Sequence, residues 1–264
     1  MRLHTHEWGD RDAPPVVCLH GVGAHGGRFA RLASRLPDFR FVAFDLRGHG
    51  RSPFEPPWTI ATHLSDVLES TEAAGISEAA WLGHSFGGRL VLELAARRAG
   101  LIEKLILLDP GIRLRPDIAL ALADAARIEQ VFATESEAVP PRFGGSLFRT
   151  PSEMLADERE EHLEPSPTGF RWRFSPSAVV AILGELATWP PPPEDLHERV
   201  LMILGSDESV VGPRQLERYR RSLRERLDVV HVPGGHVVLW DAFEETLDAV
   251  RSFLGSPSRD SDPT

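Results

Sequence analysis

The stretch Trp81-Leu82-Gly83-His84-Ser85-Phe86-Gly87-Gly88 constrains this chain more than any other. It reads Gly-x-Ser-x-Gly, with the apolar Ala79-Ala80-Trp81-Leu82 before it and Leu90-Val91-Leu92-Glu93-Leu94-Ala95-Ala96 after it. The front half has the composition of a short buried strand and the back half that of a helix. A serine at such a strand-to-helix turn is held in a strained backbone conformation that lifts its hydroxyl above the sheet. Gly83 and Gly87 carry no Cβ, so the turn can close around it. Gly-x-Ser-x-Gly alone is a weak signal, equally compatible with a glycine-rich turn and an incidental serine. With strand and helix on the correct sides, Ser85 is a candidate nucleophile.

Further apolar runs at 16–19, 41–44, 105–108 and 200–204 alternate with helical patterns at 28–36, 60–74, 213–227 and 243–254. A last strand is expected at 229–232. Continuous apolar strands separated by helices signal a mostly parallel α/β sheet covered on both faces. Residues 2–8 alternate enough for an edge strand, which puts His4 and His6 on one face. Two histidines without a third ligand nearby read as a solvated strand face and not as a metal site. From about 113 to 195 the strand-like runs vanish. Helical patterns at 117–132, 151–163 and 175–186 alternate with loops there, and the proline run at 190–193 stiffens the return. The expected organisation is a core of residues 1–112 and 196–254, a helical insertion at 113–195, and a disordered Ser/Pro/Asp-rich tail at 255–264. A chain of 264 residues is long enough for such a core with one inserted subdomain.

The formal net charge of -10 argues against nucleic acid and anionic membrane surfaces as partners. Cys18 is the only cysteine and lies in an apolar run, so it reads as a small core residue in a reducing compartment. No apolar leader segment or membrane-length run is present, and the chain reads as cytoplasmic.

A serine nucleophile needs a base to take its proton and a buried acid to hold the base in the correct tautomer. Gly234-Gly235-His236-Val237-Val238 offers a late histidine on a glycine loop between the last strand and the last helix. The acid is expected in the loop after 200–204, Gly205-Ser206-Asp207-Glu208-Ser209. Asp207 is favoured for its shorter side chain, Glu208 competes with it, and Asp109 at the end of the preceding strand is a third choice. The developing oxyanion needs donors. The backbone N–H of Phe86 opens the following helix, where the dipole favours negative charge. A second donor, the N–H of Val22, is expected from His20-Gly21-Val22-Gly23.

Those two motifs, together with Asp45-Leu46-Arg47-Gly48-His49-Gly50-Arg51-Ser52 between them and the late Gly235-His236, resemble the α/β-hydrolase superfamily over about residues 14–254. The resemblance implies an eight-stranded, mostly parallel sheet, with residues 113–195 as a helical cap inserted before the acid-bearing strand. It also implies that 45–52 is a structural loop, so Arg47 and His49 are not expected to act in catalysis. Relatives place the acid three residues after the strand-end glycine, a slot that Glu208 fills here, with Asp207 one residue early. A serine nucleophile argues against epoxide opening and halide displacement, which use aspartate. The expected activity is hydrolysis of small to medium, fairly apolar carboxylic esters through an acyl-enzyme, without metal or organic cofactor, by a monomer or homodimer. A lactonase or C–C bond hydrolase would use the same residues, and a hydrolase-like small-molecule receptor is the alternative outside enzymes. Phe143, Leu147, Phe148, Trp172 and Phe174 are expected to supply apolar surface to the cap over the serine, with Phe143, Phe148 and Trp172 as substrate-binding residues.

Overall fold

The computed structural model describes residues 1–138 and 158–256. The strands among the described residues are β1 (Thr5–Trp8), β2 (Pro15–Leu19), β3 (Arg40–Phe44), β4 (Ala79–His84), β5 (Ile102–Leu108), β6 (Leu163–Ser166), β7 (Gly169–Trp172), β8 (Arg199–Gly205) and β9 (Leu227–Val232). The described α-helices used below are α1 (Ala30–Ser34), α2 (Ile60–Ala73), α3 (Phe86–Ala95), α4 (Pro116–Ala126), α5 (Pro176–Leu186), α6 (Pro213–Leu223), α7 (Val238–Asp241) and α8 (Phe243–Leu254). Seven strands form one sheet in the order β1-β3-β2-β4-β5-β8-β9. β1 runs antiparallel to β3, and every other pairing in this sheet is parallel.

Side chains alternate between the two faces of a strand. Val17, Leu19, Val42, Phe44, Trp81 and Leu105 accordingly enter one hydrophobic cluster, with residues of α2, α3 and α6. Val16, Cys18, Phe41, Ala43, Leu82 and Ile106 enter the other, with residues of α1, α7 and α8. A parallel sheet buried on both faces needs apolar residues at consecutive positions, which is why these strands read as unbroken runs. Cys18 is fully buried, and burial pushes its thiol pKa well up.

Three features differ from the reading above. Among the described residues the sheet has seven strands and not eight. The segment 113–195 is not purely helical: β6 and β7 form a two-stranded antiparallel ribbon of their own. These strands are four residues long and carry Glu164, Pro165 and Arg171, so they lack the continuous apolar signature. The helix expected over 117–132 ends at Ala126. Phe143, Leu147 and Phe148, and the tail from 257, lie outside the described residues. No described helix is long and apolar enough to cross a membrane.

Candidate active site

β4 ends at His84, and Ser85 turns the chain into α3 with φ 52° and ψ -115°. Only Ser85, Asp109 and Arg224 among the described non-glycine residues have positive φ, so two of the three strained positions fall on site candidates. A Cβ on Gly87 would stand 2.0 Å from the carbonyl oxygen of Leu19, so only glycine lets α3 start this close to β2. Phe86 is the first residue of α3, and its N–H is one of the donors that a helix cannot satisfy internally.

The loop after β2 lies directly on the serine: a Cβ on Gly21 would come within 2.9 Å of Ser85 Cβ. Buried histidines fix this loop. His20 donates from Nδ1 to the Gly21 carbonyl at 2.7 Å and accepts the Leu46 N–H at Nε2 at 2.8 Å. His49 accepts the Gly23 N–H at 2.9 Å, and His162 donates to the Gly23 carbonyl at 3.1 Å. His49 therefore sets the shape of the loop that carries Val22, consistent with a structural role for residues 45–52. Within 45–52, Arg47 forks onto Asp66 of α2.

His236 follows β9, and its Nδ1 lies 2.6 Å from Oδ2 of Asp109. Asp109, immediately after β5, is fully buried; it also accepts from the Ser209 hydroxyl and, at 3.2 Å, from the Val210 N–H. The expectation that Asp207 or Glu208 meets the imidazole is corrected here. Asp207 is exposed, and its backbone N–H is turned to the Gly234 carbonyl at 2.9 Å. The loop after β8 does reach the site, where it delivers Ser209 and Val210 as donors to Asp109. The insertion thus precedes β8, while the carboxylate at His236 comes from β5, ahead of the insertion. On the other side, His84 donates from Nε2 to the His236 carbonyl at 3.1 Å, which ties the histidine loop to the serine turn. Sequence reasoning missed this contact, although His84 sits inside the motif that identified Ser85.

Ser85, His84 and His236 line a cavity of about 270 Å3, whose wall includes Leu114, Leu183 and Leu186 of segment 113–195. An adjoining cavity of about 320 Å3 is lined by Trp172 and Phe174. Val22, Leu122, Ala126 and Val179 border both. Trp172 and Phe174 therefore stand on the neighbouring chamber and not in the wall around Ser85.

His4, His6 and Asp45 bring ligand-type atoms within 4.8 Å of one another. Asp45 is the third group that the sequence did not reveal. Its carboxylate is already committed, with Oδ1 accepting from His6 at 3.0 Å and from the Gly26 N–H at 2.7 Å, and Oδ2 from the Arg51 N–H at 2.8 Å. That arrangement is a brace for the turn into Gly26.

Three buried histidines are expected to make the fold acid-sensitive. His63 on α2 is fully buried and meets Phe86 edge-on, with ring centroids 5.2 Å apart. Neither of its ring nitrogens has a partner among the described residues. Burial pushes its pKa down to about 3. Burial likewise holds His20 and His84 well below the ordinary 6.5. In each case the unfolded chain binds a proton that the native state refuses, so stability is full above about pH 6.5 and falls as the pH drops below it. Each such group contributes up to about 1.4 kcal/mol per pH unit, so three give about 4 kcal/mol per unit against a net stability of about 5–15 kcal/mol. Urea midpoints are expected to stay level between about pH 8 and 7 and to fall steeply below about pH 6. His63→Leu should flatten that fall by about a third. Equal midpoints at about pH 7.5 and 5 would rule the account out.

Residues 14–243 match the family model of the alpha/beta hydrolase fold. Over 255 residues the chain is 31% identical to the lipase LipV of Mycobacterium tuberculosis, covering 96% of this chain and 98% of that one. It is 26% identical over 257 residues to the sn-1-specific diacylglycerol lipase ABHD11 of Mus musculus, covering 93% and 82%. Among solved structures, the crystal structure of E-2-(acetamidomethylene)succinate hydrolase superposes with a TM-score of 0.86 at 25% identity, over 96% of this chain and 95% of that one. The serine turn, the histidine loop after the last strand and the sheet that presents both agree with that match, and the chain belongs to the α/β-hydrolase fold family.

Proposed function

We propose that this hydrolase cleaves carboxylic esters through an acyl-enzyme formed on Ser85. Ser85 Oγ attacks the ester carbonyl while His236 takes the proton and passes it to the leaving alcohol. Asp109 holds the Nδ1 proton of His236, leaving Nε2 as the base. The N–H groups of Val22 and Phe86 receive the oxyanion, and a water activated by His236 then releases the acid. The observation that carries this reading is the 2.6 Å contact of His236 with the buried Asp109, in one cavity with a serine held at positive φ. Segment 113–195 acts as the cap, and its leucines favour an apolar acyl chain. The cavity is slightly smaller than the ~300–1,000 Å3 of pockets for drug-sized ligands, which favours short to medium acyl groups. The two lipase relatives carry names consistent with ester cleavage.

The test is a series of p-nitrophenyl esters of increasing acyl length, run beside fluorophosphonate labelling. Labelling together with multiple turnovers, peaking at short to medium chains, is the expected result. Labelling with a single turnover would favour the receptor reading. The absence of both labelling and turnover would overturn the serine assignment.

A further inference from the structure

Among the described residues that line the Ser85 cavity, one carries a permanent charge: Arg28, from the short 3-10 turn Gly26–Phe29. Its guanidinium is fixed on two sides. Nε and Nη2 donate to the two carboxylate oxygens of Glu158, the second at 2.8 Å, and the Trp240 ring lies 4.3 Å from Cζ. Glu158 is buried to 2% exposure and also meets His25 Nε2 at 3.0 Å. Burial alone would raise the Glu158 pKa, but the Arg28 charge and then His25 hold it well below the carboxylate range. Nη1 of Arg28 has no partner among the described residues.

A purely structural ion pair does not account for this placement. Buried pairs are frequently replaceable by apolar residues without loss of stability, and this one opens onto a cavity whose wall beyond Ser85, His84 and His236 is apolar. An unmet N–H at an apolar wall is unfavourable unless a ligand or water satisfies it. Binding cavities of this kind combine apolar walls with a few fixed polar groups that orient the ligand.

From this geometry we infer that Arg28 is a substrate-recognition residue whose Nη1 donates to a second, neutral oxygen of the substrate, beyond the ester being cleaved. The charge balance selects a neutral group. Among the described contacts Arg28 is paired with Glu158, and Asp109 adds a negative charge beside His236. A carboxylate entering here would lose its hydration without gaining a net counter-charge, whereas a keto, ether or second ester oxygen accepts the N–H without that penalty. The substrate class is therefore an ester with an additional uncharged oxygen in its acyl or alcohol chain. This inference rests on the ester-hydrolase reading.

The experiment compares p-nitrophenyl hexanoate with its keto analogue, in which one chain methylene is replaced by a carbonyl, and with the half ester that ends in a carboxylate. An alcohol-side pair, butyl butyrate and its ether analogue, covers the other orientation. The wild-type chain should prefer an oxygen-bearing partner in one of the pairs by about tenfold to a hundredfold in kcat/KM, the range for a hydrogen bond to a charged donor. The readout is this ratio within each enzyme, so a general loss of folding or rate cancels. Arg28→Lys keeps the charge but cannot hold the fork, and the double variant Arg28→Met, Glu158→Gln removes both partners without stranding a buried charge. Both ratios should fall to near one, and Arg28→Lys decides alone if the double variant does not fold. Hexanoate turnover and fluorophosphonate labelling without any preference for the added oxygen overturn this inference and leave the hydrolase reading standing. A ratio retained in the variants, or a preference for the half ester over the keto ester, also overturns it. If the wild-type chain shows neither turnover nor labelling, the hydrolase reading fails and the inference falls with it.

Discussion

Ser85→Ala is expected to lower kcat for ester cleavage by about 10⁴ to 10⁶ and to abolish fluorophosphonate labelling. The alanine keeps the backbone of the turn and removes one oxygen. The remaining cavity, with the N–H groups of Val22 and Phe86, still binds substrate and polarises its carbonyl, which sets a floor above the uncatalysed rate. KM should move far less than kcat, because the lost oxygen acts on the reacting carbon and not on the chains of the substrate. Stability should hold, since the substitution keeps a Cβ-bearing residue at φ 52°. Alanine is no more comfortable than serine at positive φ, so any gain is small. Activity within tenfold of wild type, or labelling that persists in a folded variant, would overturn the assignment.

The parts of this molecule that were legible in the sequence are those whose physics is local or periodic. The strands around Cys18, Val42, Trp81, Ile106 and Met202 read as unbroken apolar runs because each alternates between two cores. Ser85 was legible because its turn demands glycines at fixed offsets, and Gly87 meets Leu19 too closely for any other residue. His236 was legible from its glycine loop after the last strand. The ribbon of β6 and β7 was not, since four-residue strands carrying Glu164 and Arg171 have no apolar run to show. The role of Arg28 was equally hidden, because its partner Glu158 is 130 residues away.

The acid was the hardest reading, for a reason that is geometric. Asp207 and Glu208 occupy the position in chain order where relatives carry it, and chain order is what a sequence displays. Spatial order places β5 between β4 and β8, so the end of β5 is next to both the serine turn and the loop after β8. An aspartate there reaches the histidine loop as readily as one after β8. The sequence did carry a signal: Asp109-Pro110 closes a buried apolar strand, where a carboxylate has no reason to be unless something pairs with it. Ser209, one residue past the expected slot, then serves as a donor to that carboxylate.

Asp109→Asn is therefore expected to lower kcat by about 10⁴, the loss seen when the orienting carboxylate of a serine protease becomes an amide. Asp109 accepts three hydrogen bonds, from His236 Nδ1, the Ser209 hydroxyl and the Val210 N–H. An asparagine has one acceptor oxygen to offer in their place. If that oxygen stays with the Ser209 hydroxyl, the amide N–H faces both Nδ1 and the Val210 N–H and forces the imidazole proton onto Nε2, where it can no longer accept from Ser85. If the amide flips, Val210 and Nδ1 keep their acceptor, but the Ser209 hydroxyl loses its own and must turn to accept from the amide, which loosens the aim of the group. The first orientation disables the base outright, while the serine itself remains in place. Asp207→Asn and Glu208→Gln, assayed against the same ester, should stay within a few fold of wild type, because the carboxylate described at Nδ1 of His236 is that of Asp109. Ser209→Ala should fall between, since it removes one of the two bonds that aim the Asp109 carboxylate. A collapse in Asp207→Asn or Glu208→Gln, with Asp109→Asn near wild type, would return the acid to the loop after β8.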